Sequence, residues 1–114
     1  MPGNLSMVKK KVDRIIKSKI NLFSQKLTQE GIKFNSIILF GSHAKGLAKP
    51  YSDIDLGIIF PKLDRDEIDE SVRLRLIASE VDFRIEPHII AAKDLKKRNN
   101  PFIWEVISTG IKVE

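Results

Sequence analysis

Two apolar runs frame a polar turn in the first half of this chain, and that arrangement restricts the fold more than any other feature. Ile37-Ile38-Leu39-Phe40 stops abruptly at Gly41, and Ile54 opens a second, β-branched run that reaches Phe60 and closes at Pro61. Runs this short with such sharp ends predict buried strands rather than helices. The intervening stretch GSHAKGLAKPYSD (41–53) opens with a glycine and closes on an acid. Gly41 permits backbone angles that let successive N–H groups converge on an anion. Ser42 adds a hydroxyl donor and is placed to cap a short helix over His43 to Leu47, whose positive end also favours phosphate. Gly46 and Pro50 end that helix and return the chain.

The remaining elements follow from periodicity. Apolar residues recur at helical spacing from Met7 to Glu30 (Val8, Val12, Ile15, Ile16, Phe23, Leu27), and Gly31 provides a stop. Asp64, with Glu67 three residues on, reads as a helix N-terminus, placing Ile68, Val72 and Leu76 on one face. Val81 to Glu86 alternates apolar and charged residues, predicting a strand with one wet face. Pro87 confines that strand to an edge or a bulge. Asn100-Pro101 starts a last helix that Gly110 ends, and Ile111 to Val113 forms a short final strand. The fold class expected is α+β (α/β): a small mixed sheet flanked by helices. The strands joined through a helix should run parallel.

At 114 residues the chain is read as one domain, 1–114. It has no cysteine, which excludes a disulfide framework, a thiolate zinc site and a thiol nucleophile. No apolar run approaches a membrane span and no apolar signal core follows the first charges, so a cytoplasmic setting without membrane association is expected. Lys and Arg number 20 against 15 Asp and Glu, a net of +5, which favours an anionic partner. A nucleic-acid surface is disfavoured, because neither basic run (9–11 or 96–98) is interleaved with aromatics.

Ser52-Asp53-Ile54-Asp55-Leu56 supplies the chemistry. Residues two apart in a strand share a face, with Cα atoms about 6.5–7 Å apart. Asp53 and Asp55 therefore project together while Ile54 and Leu56 enter the core. Adjacent carboxylates repel unless a cation sits between them, and oxygen-rich sites suit Mg²⁺ or Mn²⁺. An isolated pair of this kind also occurs as two solvated acids at a strand start. If the first two strands are antiparallel neighbours, however, the Gly41 turn and the two acids meet at one sheet edge. Asp82, second residue of the predicted third strand, is the preferred third carboxylate. Glu86 shares its face four residues further on and is the alternative. Three carboxylates, an anion-binding turn and no activated nucleophile point to metal-assisted phosphoryl chemistry.

In these residues the sequence resembles the DNA polymerase β-like nucleotidyltransferase superfamily, and is most similar to its minimal prokaryotic members. The matching blocks are GSHAKG at 41–46, SDID at 52–55 and VDF at 81–83. The resemblance implies that Gly41 and Ser42 hold the β- and γ-phosphates of a nucleoside triphosphate. It implies that Asp53 and Asp55 ligate two Mg²⁺ ions, and that Asp82 completes one site and helps deprotonate the acceptor. Lys45 occupies a position that is often arginine. The stretch IEPHII, which contains His88, is similar to a subgroup of the family and has no role assigned from sequence. The activity implied is transfer of a nucleoside monophosphate, AMP from ATP, to a hydroxyl acceptor with release of pyrophosphate. The alternative is a non-catalytic regulatory or antitoxin-like subunit that binds a helical partner protein encoded nearby.

Overall fold

The computed structural model describes residues 12–63 and 66–114. Helix α1 (Arg14–Gln29) begins at Asp13, whose carboxylate accepts the N–H groups of Ile15 and Ile16. The expected start at Met7, the basic run 9–11 and the Asp64 cap reach outside the described residues. Strand β1 (Ser36–Phe40) is followed by the one-turn helix α2 (Ser42–Lys45), strand β2 (Ile54–Phe60) and helix α3 (Glu67–Val81). Asp66 caps α3 through the N–H groups of Ile68 and Asp69. Strand β3 (Ile85–Ala91), a 3₁₀ turn (Ala92–Lys96), helix α4 (Pro101–Thr109) and strand β4 (Ile111–Lys112) complete the order. Asn100 caps α4 with Pro101 in its first turn, as its sequence predicts.

The sheet order is β3-β2-β1-β4. β1 lies antiparallel to β2 and to β4, while β2 and β3 are parallel. The fold is therefore α+β with a mixed sheet. One sheet face carries Ile37, Leu39, Ile54, Leu56 and Ile58, all fully buried beneath α1 and α3. On the other face α4 packs Ile103 and Val106 against Phe40, Ile59 and Ile90. That second cover is short, and it leaves one end of the face open.

Two expectations shift. The third strand begins at Ile85 rather than Val81, because α3 runs on to Val81 and the chain turns at Phe83-Arg84. Residues 81–84 of that alternation are a helix end plus a turn, only Ile85 and Glu86 belong to the strand, and Phe83 is 88% exposed. Pro87 sits within β3, which is an edge strand, as its missing donor requires. The face of α3 bearing Ile68, Val72 and Leu76 points to solvent, and α3 buries Leu74, Ile77 and Ala78 instead.

Candidate active site

The end of β1 and the starts of β2 and β3 meet at the open end of the sheet. In register, Phe40 opposes Asp55 and Asp55 opposes Glu86. Ile54, Leu56, Ile85 and Pro87 are buried toward α1 and α3, so alternation sends Asp55 and Glu86 to the opposite, open face. Gly41 follows Phe40 with φ 77° and ψ −154°. A Cβ built there would stand 2.6 Å from Asp55 Oδ2. Glycine is thus required twice, for the backbone angle and for the approach of the carboxylate. The Gly-Ser turn and the second aspartate are one structure.

Glu86 and His88 close around Asp55. One ligand atom from each of Asp55, Glu86 and His88 lies within 4.8 Å of the other two. His88 Nε2 is 3.4 Å from Asp55 Oδ1. The imidazole, Phe40 and Phe102 form a triangular ring cluster, with centroids 5.2 Å (His88–Phe40), 5.5 Å (His88–Phe102) and 5.6 Å (Phe40–Phe102) apart. Arg75 on α3 approaches Glu86 only at 3.9 Å. All three residues keep partial access to solvent.

Asp82 has a different environment. It is the C-cap of α3, and its side chain is 7% exposed. Arg84 donates through Nε to Oδ1 at 3.1 Å and through Nη2 to Oδ2 at 2.8 Å, and its backbone N–H donates to Oδ1 at 2.8 Å. Lys19 of α1 donates to Oδ2 at 2.7 Å. The Arg84 guanidinium, with help from Lys19 and against the effect of burial, holds this carboxyl well below the usual carboxylate range. Arg84 also donates to the carbonyl of Pro50 at 2.7 Å. The network therefore ties α1, the entry to β3 and the loop before Asp53 together. The height along β3 assumed for Asp82 does not hold, because the strand begins three residues later. Glu86 is the acid opposite Asp55.

The other residues read from sequence fall nearby. Asp53 is exposed, just before β2. Ser42 lies in the first turn of α2, where Gly41 rather than a side chain occupies the cap position. The Gly41 carbonyl accepts from Ala44 and Lys45, whereas the first N–H groups of a helix have no partner within it. Lys45 is exposed, with Nζ 3.9 Å from Glu105 on α4. Sequence reasoning assigned no role to His88 or Arg84. A strand start at Ile85 would have placed His88 beside Glu86, two residues along the same face.

The donor set fits a divalent cation. Two carboxylates face each other across neighbouring strands with a ring nitrogen beside them. Among the described residues, the basic side chains that face them are Arg75, 3.9 Å from Glu86, and the imidazole, 3.4 Å from Asp55. Oxygen ligands with one imidazole suit Mg²⁺, Mn²⁺ and related ions.

A family model described as nucleotidyltransferase domain matches residues 20–107. The chain belongs to the nucleotidyltransferase domain family. It is 36% identical over 107 residues to "Putative protein adenylyltransferase MJ1305" of Methanocaldococcus jannaschii, covering 89% of this chain and 72% of that protein. The fold is shared with a crystal structure of a toxin-antitoxin with AMP-PNP (TM-score 0.58, 24% identity, 86% of this chain and 72% of that one). It is also shared with a mutant of the toxin-antitoxin MntA-HpeT (TM-score 0.56, 21% identity, the same shares covered). As a minimal nucleotidyltransferase, the chain carries its Gly-Ser block and its Ser-Asp-x-Asp block on two neighbouring central strands at one end of the sheet. No helix among the described residues is long and apolar enough to cross a membrane.

Proposed function

We propose that this nucleotidyltransferase transfers AMP from ATP to a hydroxyl group of a partner protein, using a divalent metal held by Asp53, Asp55 and Glu86. The observation that carries the proposal is the packing of Gly41 against Asp55, which puts the phosphate turn and the metal carboxylate in contact. ATP as donor and protein as acceptor are supported by the name of the Methanocaldococcus relative. The bound metal would neutralise charge on the triphosphate and on the departing pyrophosphate. The chain's own residues do the rest. The turn at Gly41 and Ser42 holds the terminal phosphates through backbone N–H groups, and Lys45 adds positive charge at its rim. The acceptor oxygen bonds to the α-phosphorus, the bond to the α–β bridging oxygen breaks, and pyrophosphate leaves. The hydroxyl proton passes to a site carboxylate and then to water.

Asp82 enters as a positioning residue, because its carboxylate oxygens are taken by Arg84 and Lys19. Residues 1–114 act as one catalytic domain in the cytoplasm. A separate partner protein is supported by the toxin-antitoxin neighbours. The exposed row Ile68, Val72 and Leu76 adds to that support, since it repeats once per helical turn as a packing helix would need. Incubation with α-labelled ATP, Mg²⁺ and cell lysate tests the whole reading. Label on a protein with release of pyrophosphate is expected. Absence of pyrophosphate release with Mg²⁺ and with Mn²⁺ would reject enzymatic transfer and leave the partner-binding reading.

A further inference from the structure

We propose that His88 ligates the divalent metal directly through Nε2, and that it tilts the site toward Mn²⁺ and its transition-metal neighbours over Mg²⁺. This deepens the function proposed above and rests on it. Three observations converge. First, the ring nitrogen reaches the same space as both carboxylates, within 4.8 Å of a ligand atom on each. Ligand atoms about 2.1 Å from one ion stand roughly 3–4 Å apart, a closure that small side-chain rotations supply. Second, the ring is held in place by its neighbours. Phe40 and Phe102 pack together against it, and Nε2 already faces Asp55 Oδ1 at 3.4 Å. Third, β3 puts Glu86 and His88 two residues apart on the face that carries Asp55, so all three donors come from paired strands rather than loops. Metal sites built on strands are held more closely than sites on loops.

The chemical consequence follows from the donor type. Mg²⁺ takes oxygen ligands and keeps much of its water, whereas imidazole suits the transition ions. One imidazole added to the carboxylates therefore discriminates where carboxylates alone do not.

The chain contains two histidines, so the assignment can be made spectroscopically. Tag-free, nucleotide-free protein is titrated with Mn²⁺ and measured by pulsed electron paramagnetic resonance. Modulation from a directly bound ¹⁴N imidazole is expected in the wild type and in His43→Gln, and its loss is expected in His88→Gln. Calorimetry should show Mn²⁺ binding weakened by about tenfold or more in His88→Gln, with Mg²⁺ binding changed by less than about threefold. Circular dichroism of each variant checks the fold, and Phe102→Leu, which frees the ring without removing the ligand, should weaken Mn²⁺ binding less than His88→Gln. Wild-type protein without nitrogen modulation overturns the proposal, as does modulation that survives His88→Gln. Asp55→Asn separates the two levels. If it abolishes Mn²⁺ binding while the wild type shows no nitrogen signal, the metal site stands and only His88 is misassigned. If Mn²⁺ binding survives Asp55→Asn, the carboxylate site itself is wrong.

Discussion

Asp82 and Glu86 are four residues apart, yet they occupy opposite electrostatic situations. Around Asp82 every carboxylate oxygen is met by a cation, with Arg84 and Lys19 both at hydrogen-bond distance. Around Glu86 and Asp55, two acids face each other and the nearest fixed cation is Arg75 at 3.9 Å from Glu86. The first corner stabilises the fold and has no spare lone-pair capacity for a metal. The second carries repulsion that the long Arg75 contact offsets only weakly and that a bound cation would relieve. Burial follows the same division, since a charge is taken out of water only where its partners are fixed.

The largest test of this contrast is Asp55→Asn. Turnover should fall by about a thousandfold, roughly 4 kcal/mol of transition-state energy, while the melting temperature holds or rises. Steady-state kinetics with a parallel melting curve would expose a loss of fold instead. Asp82→Ala should behave in the reverse way. Leaving Arg84 and Lys19 without their carboxylate should cost about 3 kcal/mol of stability, seen as a lower urea midpoint, with turnover at low temperature within about tenfold of normal. Glu86→Gln should lower turnover by about a hundredfold with little change in that midpoint. If Asp82→Ala is inactive but fully stable and Glu86→Gln is active, the roles of the two corners are exchanged.

Gly41→Ala is expected to weaken nucleotide binding by about tenfold, because the added methyl pushes Asp55 aside as well as crowding the turn. Equilibrium dialysis with ATP measures it, and unchanged affinity would move the phosphate site elsewhere. The smallest effect concerns acid. Asp82 is held below its ordinary range in the folded protein, so its contribution to stability is complete above the unfolded value near 4 and is lost progressively as pH falls further. Wild-type urea midpoints should therefore drop more steeply below about pH 4 than those of Asp82→Ala.

Much of this arrangement was legible in the sequence. The abrupt ends of Ile37–Phe40 and Ile54–Phe60 marked both strands, and Asn100-Pro101 marked the last helix to the residue. The antiparallel pairing of β1 with β2 entered the sequence reading only as a condition for bringing Gly41 to the acids, and the register meets it. The third strand was not legible from its own pattern. Val81-Asp82-Phe83-Arg84 alternates like a strand, but Val81 closes α3 and Asp82 caps it. An alternating window of four residues carries little weight against a helix already fifteen residues long. What decides the matter is tertiary: Asp82 finds Lys19, 63 residues earlier in the chain, and no local window contains that contact.

The parallel pairing of β2 with β3 has a consequence for how the protein acquires its activity. Asp55 and His88 are separated by 33 residues of chain, with the whole of α3 between them. No local fragment can assemble the site; it exists only once β2 and β3 have paired across the intervening helix. Contacts of that range close more slowly than helical ones, so the catalytic centre matures with tertiary pairing rather than with the first helix. A ligand that binds only the assembled centre then acts as a thermodynamic latch on the entire chain. The melting temperature should climb with the logarithm of its concentration.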